Sequence, residues 1–389
     1  MLLLASLPFD RFFSHVILIS FALHLLIHLR KPQFEPGYLM LSSVFFVTLI
    51  STLYTTNLPG AYSELALHVP ILIIPVLFCM AAVVLEKYRD KLLRGFAWVC
   101  AATVIYLYTD AIRLIRYYKL PYSALFSAAF TNHNFSAPID MHATFFSMQI
   151  AIALVYVISA LIKGKTQRNW LVLCAIILAA GLVQLCSKSV FIPLLLIVNL
   201  AIPYFLLEKK MRWRYTAVSI SISAMLLVVI FSVGTLRTRY ITDLSTDLSP
   251  SASGHLLDSR MARWSVVTAV IKQNPVFGHG AGTETVILHE QFFKQKYYSS
   301  FLKNLNAHNQ YLSFLFKSGI WGLLIYLGTL WYGFNKAIKA KDLLFFTFMV
   351  LVTLISLSEN LLDVDKGVFF YAVFFSFFVF SATKKLQIN

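Results

Sequence analysis

Long uninterrupted apolar blocks constrain this chain more than any other feature. They run for about 17 to 23 residues without the period-two alternation of barrel strands. Backbone groups inside a bilayer must pair within the chain, so blocks of this kind are helices crossing a core about 30 Å thick. Only 13% of the 389 residues are charged, about half the usage of soluble domains. The sequence therefore predicts an all-α, polytopic integral membrane protein.

The apolar blocks predict eleven membrane spans. Their ranges are 12–29, 37–54, 65–85, 95–115, 142–162, 169–186, 189–207, 215–235, 319–335, 342–357 and 367–382. The chain divides accordingly into an N-terminal bundle over 1–235, a large polar loop over 236–318 and C-terminal spans over 319–389.

More than half of the 33 Lys and Arg residues fall on alternate connections between these spans. The positive-inside rule makes those connections cytoplasmic and explains the net charge of +16 without nucleic acid as a partner. The N-terminus is then outside, the C-terminus inside and the large loop outside. The residues in question are Arg30, Lys31, Lys87, Arg89, Lys91, Arg94, Lys163, Lys165, Arg168, Lys209, Lys210, Arg212, Arg214, Lys336, Lys339, Lys341, Lys384 and Lys385.

The outer loop contains a polar stretch, Ser245–Gly254, followed by an amphipathic run, Arg260–Lys272. Asn274-Pro275 ends the run, because proline disfavours helical geometry in the preceding residue. Gly278, Gly280 and Gly282 follow at alternate positions. Such glycines permit either a tight turn or close backbone approach to a ligand, and both interpretations stay open here.

His308-Asn309 opens the next helical segment at the predicted water–lipid boundary. A histidine there can take a proton from a hydroxyl group, or it can be an interfacial side chain satisfied by water. The remaining histidines and the four cysteines show no paired spacing, so the sequence predicts neither a metal site nor a cofactor.

Cationic residues also occur at the predicted outer ends of spans. Lys188 interrupts a long apolar region in what we interpret as a turn between two spans. An ionisable residue at such a depth is a functional candidate, and a snorkelling surface lysine is the alternative. Arg116 ends another span on the same side, against the overall charge bias.

Several of these elements together resemble the bacterial O-antigen ligase and polymerase family. The matching elements are Arg260 with Trp264, the Asn-Pro-x-x-Gly-x-Gly-x-Gly turn, His308-Asn309-x-Tyr311-Leu312, and Gly319-x-x-Gly322. The resemblance implies a GT-C-like membrane glycosyltransferase whose donor is a glycan on undecaprenyl pyrophosphate. It also implies inverting, metal-independent transfer in the bacterial inner membrane, with the active site facing the periplasm.

The resemblance assigns roles by position. His308 would activate the acceptor hydroxyl, with Asn309 and Glu359 in support, and Arg260 would bind the donor pyrophosphate. Lys188 stands where the family usually has arginine, so it supplies charge without the planar two-pronged contact to phosphate. Arg263 and Arg116 are further candidates for binding the pyrophosphate.

We favour a ligase that acts on a lipid A core or similar acceptor. A polymerase would share the donor, fold and base, and would use another glycan as acceptor. A lipid-linked oligosaccharide flippase is a second alternative, although a transporter should carry broken spans and paired charges at mid-membrane depth. A non-catalytic scaffold would leave the order of the motifs unexplained.

Overall fold

A computed structural model of the chain describes residues 1–27, 37–164, 167–232, 234–242, 245 and 258–381. The side chains at 82–84, 229–231, 235, 236 and 239 are not among those described. The polar stretch Ser245–Gly254 lies outside the described residues except for Ser245. Five of the predicted cytoplasmic basic residues also lie outside them: Arg30, Lys31, Lys165, Lys384 and Lys385.

Regular structure in the described part of the chain is helical, which confirms the all-α class. Shorter helical turns join thirteen main helices. These are α1 (Arg11–Ile27), α2 (Gly37–Thr52), α3 (Leu58–Met80), α4 (Ala82–Tyr117), α5 (Ala143–Ile162), α6 (Arg168–Leu185), α7 (Lys188–Leu206), α8 (Lys209–Ser232), α9 (Arg260–Ile271), α10 (Glu284–Lys294), α11 (Gln310–Lys339), α12 (Leu343–Ile355) and α13 (Asp365–Ser381).

Among the described residues, six helices are long and apolar enough to cross a membrane. They are α3, α4, α5, α6, α7 and α11, while α1, α2 and α12 are shorter apolar helices. Each of the eleven predicted spans overlaps one of the helices α1–α8 and α11–α13. A count of eleven membrane crossings stays a prediction.

The predicted polar connection between the spans at 65–85 and 95–115 is wrong. The chain turns at Ala81, and α4 then runs unbroken to Tyr117. The basic residues assigned to a loop, from Lys87 to Arg94, therefore lie in the first turns of α4. Glu, Lys, Arg and Leu are good helix formers and no proline or glycine intervenes before Gly95, so the helix extends beyond its apolar part.

Helix α11 begins at Gln310, as predicted for a helix opened by His308-Asn309, and continues through the span predicted at 319–335. Asn309 caps it by accepting hydrogen bonds from the N–H groups of Tyr311 (3.0 Å) and Leu312 (3.1 Å). Gly319 interrupts the helix with φ 62° and ψ −160°. The kink separates a short first section, which carries Ser313 and Lys317, from the longer apolar section that follows.

The buried helices α5 and α13 form the centre of the bundle. Helix α13 packs against α3 and α4, and α5 packs against α4 and α6. Much of this core is phenylalanine, with Phe345 stacked on Phe378 at a centroid distance of 5.6 Å. Tight aromatic packing of this kind makes the bundle a rigid support for the residues at its ends.

The described part of the outer loop forms a small layer at one end of the bundle. The apolar face predicted for Arg260–Lys272 is buried in α9 at Val267, Val270 and Ile271. It packs with Leu288 and Phe292 of α10 and with Phe316 of α11. This separate apolar cluster holds the start of α9 and the start of α11 side by side, which positions the candidate site.

Candidate functional site

Arg260 lies at the first position of α9, where Ser259 caps the helix by accepting the N–H of Ala262 at 3.1 Å. Its guanidinium reaches the turn that follows α12. Nη1 donates to the carbonyl oxygen of Ser358 at 2.7 Å, and Nη2 lies 3.9 Å from Oε1 of Glu359. Arginine has five N–H donors in a planar fork, a geometry that matches carboxylate and phosphate oxygens.

His308 lies on the other side of Glu359. Its Nδ1 is 3.4 Å from Oε2 of Glu359, and the side chains of His308 and Glu359 are 31% and 14% exposed. The backbone of His308 has φ 46°, in the left-handed region, just before the Asn309 cap. Glu359 therefore bridges an imidazole and a guanidinium contributed by distant parts of the chain.

Electrostatics keep Glu359 ionised. Burial alone would raise the pKa of this carboxyl, but the hydrogen bond and charge of His308 and the charge of Arg260 outweigh burial and lower the pKa. The charge of His142, at the start of α5, acts in the same direction. A carboxylate beside Nδ1 favours the imidazole tautomer with its proton on Nδ1, which leaves Nε2 with a free electron pair.

The segment carrying His308 is held from two directions. Trp264, one helical turn after Arg260, donates its indole N–H to the carbonyl of Ala307 at 2.9 Å. The N–H of Asn309 donates to Oδ1 of Asn360 at 2.7 Å. The four-residue spacing of Arg260 and Trp264 puts both side chains on one face of α9. Both side chains therefore contribute to the same site: Arg260 contacts the segment that carries Glu359, and Trp264 contacts the segment that carries His308.

A buried charge cluster beside this segment was missed by the sequence reasoning. The ammonium of Lys317, in α11, lies 2.6 Å from Glu64 Oε1 and 2.9 Å from Asp363 Oδ1. Lys317 is 4% exposed and Glu284 is 3% exposed. A lysine within an otherwise apolar run was the available signal, because a buried charge needs partners.

Glu64, His68 and Asp363 come close enough together to be considered as metal ligands. The ring nitrogens of His68 are already engaged, with Thr48 Oγ1 at 2.8 Å and the Leu362 carbonyl at 2.8 Å. The ammonium of Lys317 supplies the cation between the two carboxylates. The arrangement fits an internal ion-pair network better than a metal site.

Lys188 occupies the first position of α7, immediately after the turn at Cys186 and Ser187. It is half-buried, and its neighbour Ser189 is hydrogen-bonded to Ser358 at 2.8 Å between hydroxyl oxygens. The start of α7 therefore abuts the same turn that Arg260 contacts. This agrees with the predicted turn between spans, except that Lys188 already belongs to the second helix.

The two remaining cationic candidates lie differently. Arg263 is buried on α9, with 6% of its surface exposed. Arg116 is exposed in the last turn of α4, and among the described residues no hydrogen bond or ion pair joins its side chain to Arg260, Glu359 or His308. The geometry thus brings Arg260, Glu359 and His308 together, with Lys188 nearby, and leaves Arg116 apart.

The glycines of the turn are packed by protein. Gly278, Gly280 and Gly282 all have positive φ values, of 73°, 92° and 72°. A Cβ at Gly280 would meet the backbone of Thr55, and one at Gly282 would meet the backbone of Gly60. Of the two interpretations left open by the sequence, the structure favours a tight turn that locks the outer loop onto the α2–α3 connection.

Together these features define a class: a helical membrane protein with a guanidinium, a carboxylate and an imidazole joined at one end of its bundle. Residues 173–327 match the family described as O-Antigen ligase. This match confirms the resemblance to the O-antigen ligase and polymerase family, whose members are membrane glycosyltransferase-type enzymes. It includes Lys188, Arg260, Arg263, the glycine turn and His308, whereas Arg116 and Glu359 lie outside it.

No curated protein matches the chain. The apolar helices and the family match together point to a multi-pass bacterial membrane protein.

Proposed function

We propose that this chain transfers a glycan from undecaprenyl pyrophosphate to an acceptor hydroxyl at the outer face of the bacterial inner membrane. The observation that carries the proposal is the contact of Arg260 and His308 with opposite oxygens of Glu359. Phosphate recognition and base catalysis need an arginine and a histidine close together. Here Arg260, His308 and Glu359 meet although they come from three segments far apart in sequence.

In the proposed reaction, His308 Nε2 accepts the proton of the acceptor hydroxyl. The acceptor oxygen then attacks the anomeric carbon on the face opposite the pyrophosphate, and the bond from that carbon to the phosphate oxygen breaks with its electron pair. The product has inverted configuration and the lipid pyrophosphate departs as an anion. Glu359 stabilises the imidazolium, and a well-placed base contributes about 10²–10⁴-fold to such a rate.

The pyrophosphate is bound by Arg260 and Lys188 in this proposal. Fixed cations stabilise the negative charge that grows on the leaving group, which is already a good one. Arg260 offers the planar fork that matches phosphate oxygens, whereas Lys188 offers a point charge. Arg263 and Arg116 stay predictions as further cations. Arg263 is buried, and among the described residues no hydrogen bond or ion pair joins Arg116 to the group.

An open cavity of about 570 Å³ adjoins the catalytic segment. Its lining includes Asn57, Glu64, Asn306 and Asp363. Asn306 also accepts the backbone N–H of His308 at 3.0 Å. Amides and carboxylates of this kind exchange hydrogen bonds with sugar hydroxyls, and the excess of carboxylates suits a neutral glycan better than a phosphate. The proposal assigns this cavity to the sugar portion of a substrate.

Transfer by purified chain in nanodiscs tests the proposal. The donor is an undecaprenyl pyrophosphate-linked glycan, offered with lipid A core in one reaction and with a second lipid-linked glycan in another. We expect product with the lipid core, as a ligase requires, and the same rate in excess chelator. Product only with the second glycan would make the chain a polymerase. Movement of the donor across the bilayer of sealed liposomes, without any transfer, would favour a flippase. A rate abolished by chelation would overturn the metal-independent mechanism.

A further inference from the structure

One buried carboxyl joins the two segments that carry His308 and Glu359. Glu284, the first residue of α10, accepts the N–H of Ala307 at Oε1 at 3.0 Å. The same oxygen accepts from the side-chain amide of Asn360 at 3.2 Å. Ala307 precedes His308 and Asn360 follows Glu359, so a single carboxyl oxygen joins the two segments, in addition to the direct hydrogen bond from Asn309 to Asn360.

The second oxygen of Glu284 anchors this link to the bundle. Oε2 contacts the hydroxyl of Ser313 in α11, and Ser313 Oγ also lies 3.2 Å from Oδ2 of Asp363. Asp363 in turn accepts from Asn360 at 2.7 Å and is paired with Lys317. The link is therefore part of a network anchored on α11 beneath the candidate site.

The hydroxyl of Ser313 has one hydrogen and two carboxyl neighbours, so both contacts can be hydrogen bonds only when Glu284 is protonated. Oε2–H then donates to Ser313, whose own hydrogen is free for Asp363. Burial, and then the charge of Asp363, raise the pKa of Glu284, against the opposing charge of Lys317. Burial works the same way on Asp363, but the charge and hydrogen bond of Lys317 prevail and lower its pKa. The pKa values of the two carboxyls are thus shifted apart, upward for Glu284 and downward for Asp363.

We propose that Glu284 is a positioning residue that sets the His308–Glu359 geometry, a role that rests on the proposed function. It lines the proposed sugar cavity but is only 3% exposed, and it acts on the reacting groups through the two segments it joins. Small displacements matter for such a pair, since a misplacement of about 1 Å can lower a rate about 10²-fold. The alanine variant should therefore lose turnover while donor binding is kept.

A double-mutant cycle separates positioning from general destabilisation. Glu284→Ala and Glu359→Gln are compared singly and together for turnover in nanodiscs. If Glu284 acts through Glu359, the double variant should be little slower than the worse single variant. Independent effects would multiply, whereas coupled residues depart from that product by about 2- to 100-fold. Glu284→Gln keeps the acceptor at Oε1 and a donor towards Ser313, so it should recover most of the rate.

Asp342→Ala is the matched control. Asp342 is also a buried carboxyl that accepts two backbone N–H groups, those of Leu344 and Phe345, and it pairs with Arg89 away from the candidate site. Its effect on turnover should multiply with that of Glu359→Gln. Multiplying effects for Glu284→Ala as well would overturn the positioning role.

Hydrogen exchange provides a readout that needs no activity. In Glu284→Ala, the amide protons of the peptide over 304–310 should exchange faster, because the N–H of Ala307 loses its acceptor, while Asp342→Ala should leave this peptide unchanged. Unaltered protection in Glu284→Ala would overturn the proposal even if transfer proceeds. If the wild type transfers no glycan, the proposed function fails, and the exchange experiment still decides whether Glu284 holds the segment.

Discussion

At the scale of one residue, substitution of Lys188 tests whether a positive charge without the planar fork of arginine is enough to bind the donor pyrophosphate. The start of α7 is tied to the turn that Arg260 contacts, through the Ser189–Ser358 hydrogen bond. We expect Lys188→Ala to weaken donor binding about 10- to 100-fold, the usual consequence of losing a hydrogen bond to a charged group. Lys188→Arg should bind at least as well, because it keeps the charge and adds the planar fork. Donor affinity measured in nanodiscs checks both.

Lys303→Ala is the matched control for Lys188, since it removes an exposed lysine of the outer loop that we place outside the site. It should leave donor affinity unchanged. If Lys188→Ala also binds the donor normally, Lys188 is a snorkelling surface residue and Arg260 must hold the pyrophosphate without it.

The raised pKa of Glu284 leads us to expect that the stability of the protein depends on pH. The folded-state pKa of Glu284 is raised, first by burial and then by the charge of Asp363. A raised pKa contributes stability that is fully present below the unfolded pKa and is lost as the pH rises through the folded pKa. We expect the wild-type Tm to fall over that interval relative to Glu284→Gln, which cannot ionise. Parallel curves of Tm against pH for the two proteins would contradict the shift.

At the scale of the elements, the kink in α11 depends on Gly319. Its φ of 62° disfavours L side chains, and a Cβ there would meet the backbone of Val276 and Phe277. Gly319→Ala should therefore lower the Tm by several degrees and loosen the glycine turn. Gly328→Ala is the control on the same helix, because a Cβ there meets open space and alanine favours helix. Equal Tm values for the two variants would show that the kink does not require glycine at position 319.

Local patterns were enough to predict most helices, because apolar periodicity and spacing are properties of neighbouring positions. Arg260 and Trp264 share a face for that reason. The roles of the motif residues came from the family resemblance and stay predictions. Contacts between distant positions were not accessible, so Glu284, Asn360 and the pairing of Lys317 with Glu64 were missed. The length of α4 was mispredicted because hydropathy marks the apolar part of a helix and not its polar extension.

At the scale of the whole molecule, the proposal requires the site to face outward. Gln295, after α10, and Asn169, in the first turn of α6, are both exposed and lie on opposite sides in the predicted topology. The four native cysteines are buried and should react little. In intact spheroplasts, Gln295→Cys should react with an impermeant thiol reagent, and Asn169→Cys should react only after permeabilisation. The reverse pattern would place the site in the cytoplasm and contradict donor use after outward transport.

The division of labour between His308 and Arg260 is the central claim. Turnover and donor affinity are measured together for His308→Ala and Arg260→Ala in nanodiscs with purified lipid-linked donor. We predict that His308→Ala lowers turnover about 10²–10⁴-fold with nearly unchanged donor affinity, because the base acts on the acceptor. Arg260→Ala should weaken donor binding, since it removes charge-assisted contacts to the pyrophosphate. A His308→Ala protein that keeps more than about one part in 10² of the wild-type turnover would contradict the account.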